Sequence, residues 1–159
     1  MDGRLDSDVI SNLLPGMGNA AGFRYAGSAD HCQVVVLFTN GTEPNWPDEL
    51  DPYRGVFRYY GDNRHPGHEL HDTPRKGNRI LARAFSKAQG GIEDRIDCPI
   101  FLIFESIETG HTVRFRGMEN PGLADAGSDE ALVAIWRVSN GNRFQNYRAL
   151  FTVLDAGHI

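Results

Sequence analysis

The sequence predicts an α+β domain: a curled, partly barrel-like mixed β-sheet of about six strands, flanked by two or more short helices. Three observations predict it. Gln33–Thr39 (QVVVLFT) and Pro99–Phe104 (PIFLIF) are continuous β-branched and aromatic runs with no polar face, as expected of strands covered on both sides. Leu132–Val138 and Phe144–Leu154 flank Ser139-Asn140-Gly141-Asn142, whose Asn-Gly pair signals a tight hairpin. Ile80, Leu81, Ala84, Phe85 and Ala88 keep helical spacing.

In chain order, Asp6-Ser7-Asp8 before Val9, Ile10, Leu13 and Leu14 predicts a short capped helix that Pro15-Gly16 stops. The Gly/Ala-rich stretch to Gly27 reads as loop or irregular edge. Gln33–Thr39 is the first strand, ended by Asn40-Gly41, and Thr42–Pro52, with three prolines and four acids, reads as a surface loop. Val56–Tyr60 is a second strand. Gly61–Gly77 (GDNRHPGHELHDTPRKG) is a dense loop of the kind that carries function. Thr73-Pro74 predicts a cap followed by proline at the first helical position, with Gly90-Gly91 as the stop. Such a helix start would aim free N–H groups, with Arg75 and Lys76, at an anion. In the final third, Thr112–Arg116 alternates, with Val113 and Phe115 expected inward.

The 159 residues suffice for one core and no repeat divides them, so residues 1–159 are expected to form one domain. No apolar run approaches the roughly 18 residues of a membrane span, and no leader-like N-terminus stands out. Cys32 and Cys98 are far apart and form no CxxC pair, which suits a reducing cytoplasm. The formal charge of −5 argues against a nucleic-acid partner until its distribution is read. From Arg54 to Lys87 eight cations face three acids, or +5, and the remainder carries −10. One basic surface on an acidic body suits an anionic partner, although a solvated helix face would give the same count.

No catalytic set emerges. His65, His68 and His71 recur with Asp72, but Pro66 and Gly67 break the regular helix that would align them on a metal, so no metal or cofactor is expected. No GxSxG elbow is present, and Lys76 and Lys87, the only lysines, do not complete a nuclease carboxylate–lysine cluster. Asp30-His31 lacks the cysteine knuckles of a His-Asn-His nuclease.

The ordered run Arg58-Tyr59-Tyr60-Gly61-Asp62-Asn63-Arg64, His65-Pro66-Gly67, and Leu70-His71-Asp72-Thr73-Pro74-Arg75-Lys76-Gly77-Asn78 resembles the N-terminal recognition domains of modification-dependent (type IV) restriction endonucleases. Two related groups share it: the sulfur-binding domain of McrA-like enzymes, which recognises phosphorothioate DNA, and the AspBHI-like N-terminal domain, associated with 5-methylcytosine-dependent cleavage. The compact length without an HNH half looks most like the sulfur-binding domain. The resemblance implies phosphorothioate-modified double-stranded DNA as partner, and an HNH-type nuclease domain elsewhere in a larger protein.

It also implies a site. His65, Pro66 and Gly67 would wall an apolar cup around sulfur, with Arg64, His31 and Asp30 as candidates for its other wall. Arg75, Lys76, Gly77, Asn78, Arg79 and His68 would reach the DNA, while Asp62, Asn63, His71, Asp72 and Thr73 brace the loop. The physics is coherent: sulfur for oxygen keeps the charge but softens the anion, so burial against proline and imidazole costs less desolvation. Pro66-Gly67 equally suits a plain turn. Two readings compete. A 5-methylcytosine reader would take an extruded base between aromatic faces such as Tyr59 or Tyr60, and a small metal-dependent hydrolase would use His65, His68, His71 and Asp72.

Overall fold

The computed structural model describes residues 22–40, 43–107 and 112–154. The helix expected over Asp6–Leu14 lies outside them. Eight strands are present among the described residues: β1 (Phe23–Tyr25), β2 (Val34–Thr39), β3 (Glu49–Asp51), β4 (Val56–Tyr60), β5 (Ile100–Ile107), β6 (Thr112–Pro121), β7 (Leu132–Ser139) and β8 (Asn142–Val153). Three helices accompany them: α1 (Gly77–Ala88), α2 (Ile92–Ile96) and α3 (Ser128–Ala131). The sheet runs β1-β2-β5-β6-β8-β4-β3, with β7 also on β8. β2 and β5 pair in parallel, from Val34 opposite Ile100 to Thr39 opposite Glu105, and the other pairs are antiparallel.

The α+β class stands, and the expectation of a partly barrel-like sheet of about six strands roughly fits. Among the described residues the sheet has eight strands, and its end strands β1 and β3 do not pair, so it is not closed into a barrel. The additional strands, β1 and β3, are three residues each, too short to show a hydrophobic period. Both lie in stretches that read as loop.

The two apolar runs are buried because each has a cluster on either face. Val35 and Leu37 of β2, with Phe101 and Ile103 of β5, join the main core with Phe57, Tyr59, Phe151 and the α1 residues Ile80, Leu81, Ala84 and Phe85. Val36 and Phe104 form a smaller cluster on the other face, with Val34, Phe38 and Leu102 against it. Each large side chain fully buried this way contributes about 1.5–3 kcal/mol.

The inward assignment of Phe115 does not survive. The β5·β6 register shifts between Ile103 and Phe104, so Ile103 faces Gly117 and Phe104 faces Phe115. A bulge of this kind inverts the alternation beyond it. Phe115 is consequently 46% exposed and rests on Phe104, ring centroids 5.3 Å apart.

The α1 helix also starts later than Thr73-Pro74 suggests. It opens at Gly77, with Lys76 at the cap position in the left-handed region (φ 61°). The anion its first turn requires comes from within the chain, as described next.

Candidate nucleic-acid interface

The dense loop over residues 61–76 is braced by polar side chains that it and its neighbours bury. Asp62 accepts the Thr73 hydroxyl (2.8 Å) and the backbone N–H groups of Gly77 (2.9 Å) and Asn78 (3.0 Å). Its carboxylate therefore occupies the α1 N-terminus, where the helix dipole favours negative charge. That corrects the sequence reading of the helix start as a ready anion site for a ligand.

Asn146, on β8, is the second brace. Its Oδ1 accepts the Asn63 N–H (3.2 Å) and the Asn78 amide (2.9 Å), and its Nδ2 donates to the Gly61 carbonyl (3.0 Å). The Asn63 amide donates to the carbonyls of Gln145 (2.7 Å) and His68 (3.2 Å). The Asn78 amide also donates to the Leu70 carbonyl (3.0 Å), while its oxygen accepts the Asp62 N–H (3.1 Å). Gly61 has to be glycine here, because a Cβ would stand 1.8 Å from the Asn78 oxygen. Asn78, expected to reach DNA, is thus wholly buried with its amide committed, and Gly77 is buried beside it.

Arg64 is held as tightly. Its guanidinium donates to the carbonyls of Tyr60 (2.9 Å) and Gly61 (3.1 Å) and pairs with Asp48 (3.2 Å), lying over the Tyr59 ring. This corrects its assignment as a free wall of a sulfur cup, since its donors are largely committed within the protein. Burial pushes the Asp48 carboxyl up, and Arg64 opposes that shift.

The loop's outer residues are differently placed. His65, Gly67, His68, Lys76 and Pro74 are exposed, Pro66 and Arg75 half-buried. His71 meets the Tyr147 hydroxyl at 2.7 Å, and Asp72 pairs with Arg79 at 3.2 Å on the surface. Asp30 and His31 are not brought to His65-Pro66-Gly67. They line a separate 360 Å³ cavity with Arg83, Lys87, Cys32 and Cys98, in which Asp30 pairs with Arg83 (3.5 Å) and Lys87 with Asp97. Burial pushes both thiols up, which keeps them protonated. Among the described residues no group of three or more His, Cys, Asp or Glu side chains is arranged to hold a metal ion, and no helix is long and apolar enough to cross a membrane.

Beside the loop lies a feature the sequence reading missed. Trp46, Tyr60 and Phe144 form a third aromatic cluster, with Trp46 5.6 Å from Tyr60 and 6.0 Å from Phe144 between centroids. Trp46 donates its indole N–H to the Arg64 carbonyl (3.2 Å), and the Arg137 guanidinium sits 5.2 Å over its ring. Trp46 and Phe144 line a 200 Å³ cavity with Glu43, Asn45, Arg64, His65, Arg137, Val138 and Ser139. Asp48 does not line it; its side chain, 5% exposed, pairs with Arg64 and accepts the Tyr60 N–H at 2.8 Å. The available signal was Trp46 itself, a large aromatic within a proline-rich polar loop, where little but a packing or binding role explains it.

The cavity falls below the about 300–1,000 Å³ of drug-sized pockets, a size that suits a single heterocycle. Its lining joins small exposed parts of Trp46 (4% exposed) and Phe144 (6%) to His65, Val138 and the arginines Arg64 and Arg137, and Glu43, Asn45 and Ser139 supply hydrogen-bonding atoms.

Comparison with known proteins gives this arrangement a context. Residues 1–159 match the family described as restriction endonuclease AspBHI N-terminal. The structure is similar to the DNA recognition domain of the cytosine modification-dependent restriction endonuclease LpnPI (TM-score 0.87, 43% identity), covering 92% of this chain and 66% of that one. It is similar to the DNA modification-dependent restriction endonuclease AspBHI (TM-score 0.84, 47% identity), covering 91% of this chain and 37% of that one. A third match is the MspJI restriction endonuclease in complex with a 27-mer oligonucleotide (TM-score 0.68, 25% identity), covering 92% and 35%. No curated protein is similar at a significant level. The chain thus spans 66% of the LpnPI domain and about a third of the two endonucleases, and the matched part is a recognition domain rather than a nuclease domain. With the whole of its length matched, the chain belongs to the restriction endonuclease AspBHI N-terminal family.

Proposed function

We propose that this domain recognises double-stranded DNA carrying a modified cytosine, by drawing the base out of the duplex into the Trp46–Phe144 cavity. The observation that carries the reading is the aromatic cluster at a cavity also lined by Glu43, Asn45 and Ser139, opening beside the most basic segment of an acidic chain. Stacking of a base on an aromatic face contributes about 1–3 kcal/mol. A carboxylate or amide oxygen accepts from the cytosine exocyclic amine, and an apolar atom such as those of Val138 suits a 5-methyl group. Arg137 at the rim attracts the strand without reading its sequence.

This reading takes the place of phosphorothioate recognition. The LpnPI relative is described as cytosine modification-dependent. Nothing stands within 4 Å of where a Gly67 Cβ would be, and His65 of the same turn lines the Trp46–Phe144 cavity. Cleavage is assigned to a nuclease domain on the same polypeptide, and the 159 residues to a single recognition unit.

The test compares fluorescence anisotropy of the chain with three matched duplexes at one stated salt concentration: unmodified, singly 5-methylated, and carrying one backbone sulfur. Tighter binding to the methylated duplex alone is expected, and Trp46→Ala should remove the difference. Equal affinity for methylated and plain DNA would overturn the reading, and preference for the sulfur duplex would reinstate the alternative.

A further inference from the structure

The hairpin of β7 and β8 lends Arg137, Val138 and Ser139 to the base cavity and carries further features beyond it. From Ala131 to Leu154 the chain holds Arg137, Arg143 and Arg148 and no Asp or Glu, within a molecule of formal charge −5. Trp136 is 55% exposed and Val138 66% exposed. The Arg143 guanidinium lies 4.4 Å over the Trp136 ring, an arrangement that keeps a cation and an aromatic plane together on the surface. Trp136 faces Gln145 and Val138 faces Arg143 across the hairpin, while Arg137 faces Phe144 on its other side. The turn is a rigid two-residue type, with positive φ at Asn140 (51°) and Gly141 (80°).

Place and chemistry agree. Arg137, Val138 and Ser139 of this hairpin form one wall of the base cavity, so its tip stands where the duplex flanking an extruded base would run. A two-stranded β-ribbon fits a DNA groove. Arginines on both of its faces could meet phosphates on both sides, with indole against sugar.

We infer that the distal half of the β7–β8 hairpin is a second DNA contact, lying in the groove beside the modified base, with Arg137 and Arg143 toward phosphates and Trp136 against the sugar edge. The inference rests on the proposed recognition of DNA and adds the element that supplies affinity rather than discrimination.

Trp136→Ala, Arg143→Ala and Arg143→Lys are measured with methylated and plain duplexes across a salt series, beside Trp46→Ala. Trp136→Ala and Arg143→Ala should each weaken binding several-fold and by the same factor on both duplexes. Arg143→Ala should also reduce the slope of log K against log salt by about 1, and Arg143→Lys should retain most of that slope. Hairpin variants that bind both duplexes like the parent chain overturn the inference, whatever Trp46→Ala does. A change in oligomeric state on Trp136→Ala, with DNA affinity intact, overturns it in favour of a second copy on this edge strand. If the parent chain fails to distinguish the duplexes, the cavity reading falls, while uniform losses in the hairpin variants would still support the contact.

Discussion

The Asn146 carboxamide accepts a hydrogen bond from the Asn78 amide at 2.9 Å, with both residues completely buried. This contact joins the longest strand to the start of α1, and the loop over residues 61–76 hangs from it. Asn146→Ala would leave the Asn63 N–H and one Asn78 N–H without a partner, while the Gly61 carbonyl keeps the Arg64 guanidinium. Each buried orphan costs about 1–3 kcal/mol, so a loss of about 2 kcal/mol or more is expected in urea unfolding. A loss under about 1 kcal/mol would show that the network is dispensable.

Asp62 replaces a helix-capping side chain that its own helix lacks. Asp62→Ala removes three hydrogen bonds and the compensation of the α1 dipole, for an expected cost of about 2 kcal/mol. Asp62→Asn, which keeps the shape but not the charge, should lose less. Thermal unfolding of the two variants checks the order, and equal losses would remove the charge from the explanation.

Glu119 is 2% exposed, faces the main core, and has no hydrogen-bond partner on either carboxylate oxygen. Burial pushes its carboxyl well above the usual range. The native state then holds this proton more tightly than the unfolded chain does, so stability falls as pH rises from the unfolded value of about 4.3 through the raised native one. Asp48, also raised by burial, adds to the same trend. Glu119→Met should flatten the decline and gain about 1–3 kcal/mol above that window. Superimposable stability–pH curves for the two chains would refute this.

Two ion pairs, Glu49–Arg58 across β3 and β4 and Asp48–Arg64 in the loops beside them, should differ in worth. Asp48 and Arg64 have side chains 5% and 27% exposed, whereas Glu49 and Arg58 are 64% and 36% exposed. Asp48→Ala, which strands a part-buried guanidinium, is expected to cost about 3 kcal/mol. Glu49→Ala should cost about 0–1 kcal/mol. Similar losses in chemical denaturation would contradict the burial argument.

Where structure follows from neighbours along the chain, the sequence was readable. Asn140-Gly141 announced the hairpin because that turn needs positive φ at both positions, which these two residues tolerate. The runs of β2 and β5 announced strands covered on both faces, and their two clusters bear this out. The helical spacing of Ile80, Leu81, Ala84 and Phe85 marked the buried face of α1, although its first residue was misplaced. The shift arose because Asp62, fifteen residues before Gly77, supplies the cap. The bulge that turns Phe115 outward was equally hidden, since it exists only in the pairing of β5 with β6.

The candidate site divides in the same way. Residue order alone marked the loop over residues 61–76, its family resemblance and the positive charge of the Arg54–Lys87 segment around it, because each is a property of contiguous residues. Tertiary structure decided which of those side chains face outward and which are consumed as braces. It also joined Trp46 to Phe144 and Asn63 to Asn146, the latter pair separated by 83 positions. Contacts that distant leave no periodic trace in a sequence; they form only when packing of the whole sheet offsets the entropy of closing the intervening chain.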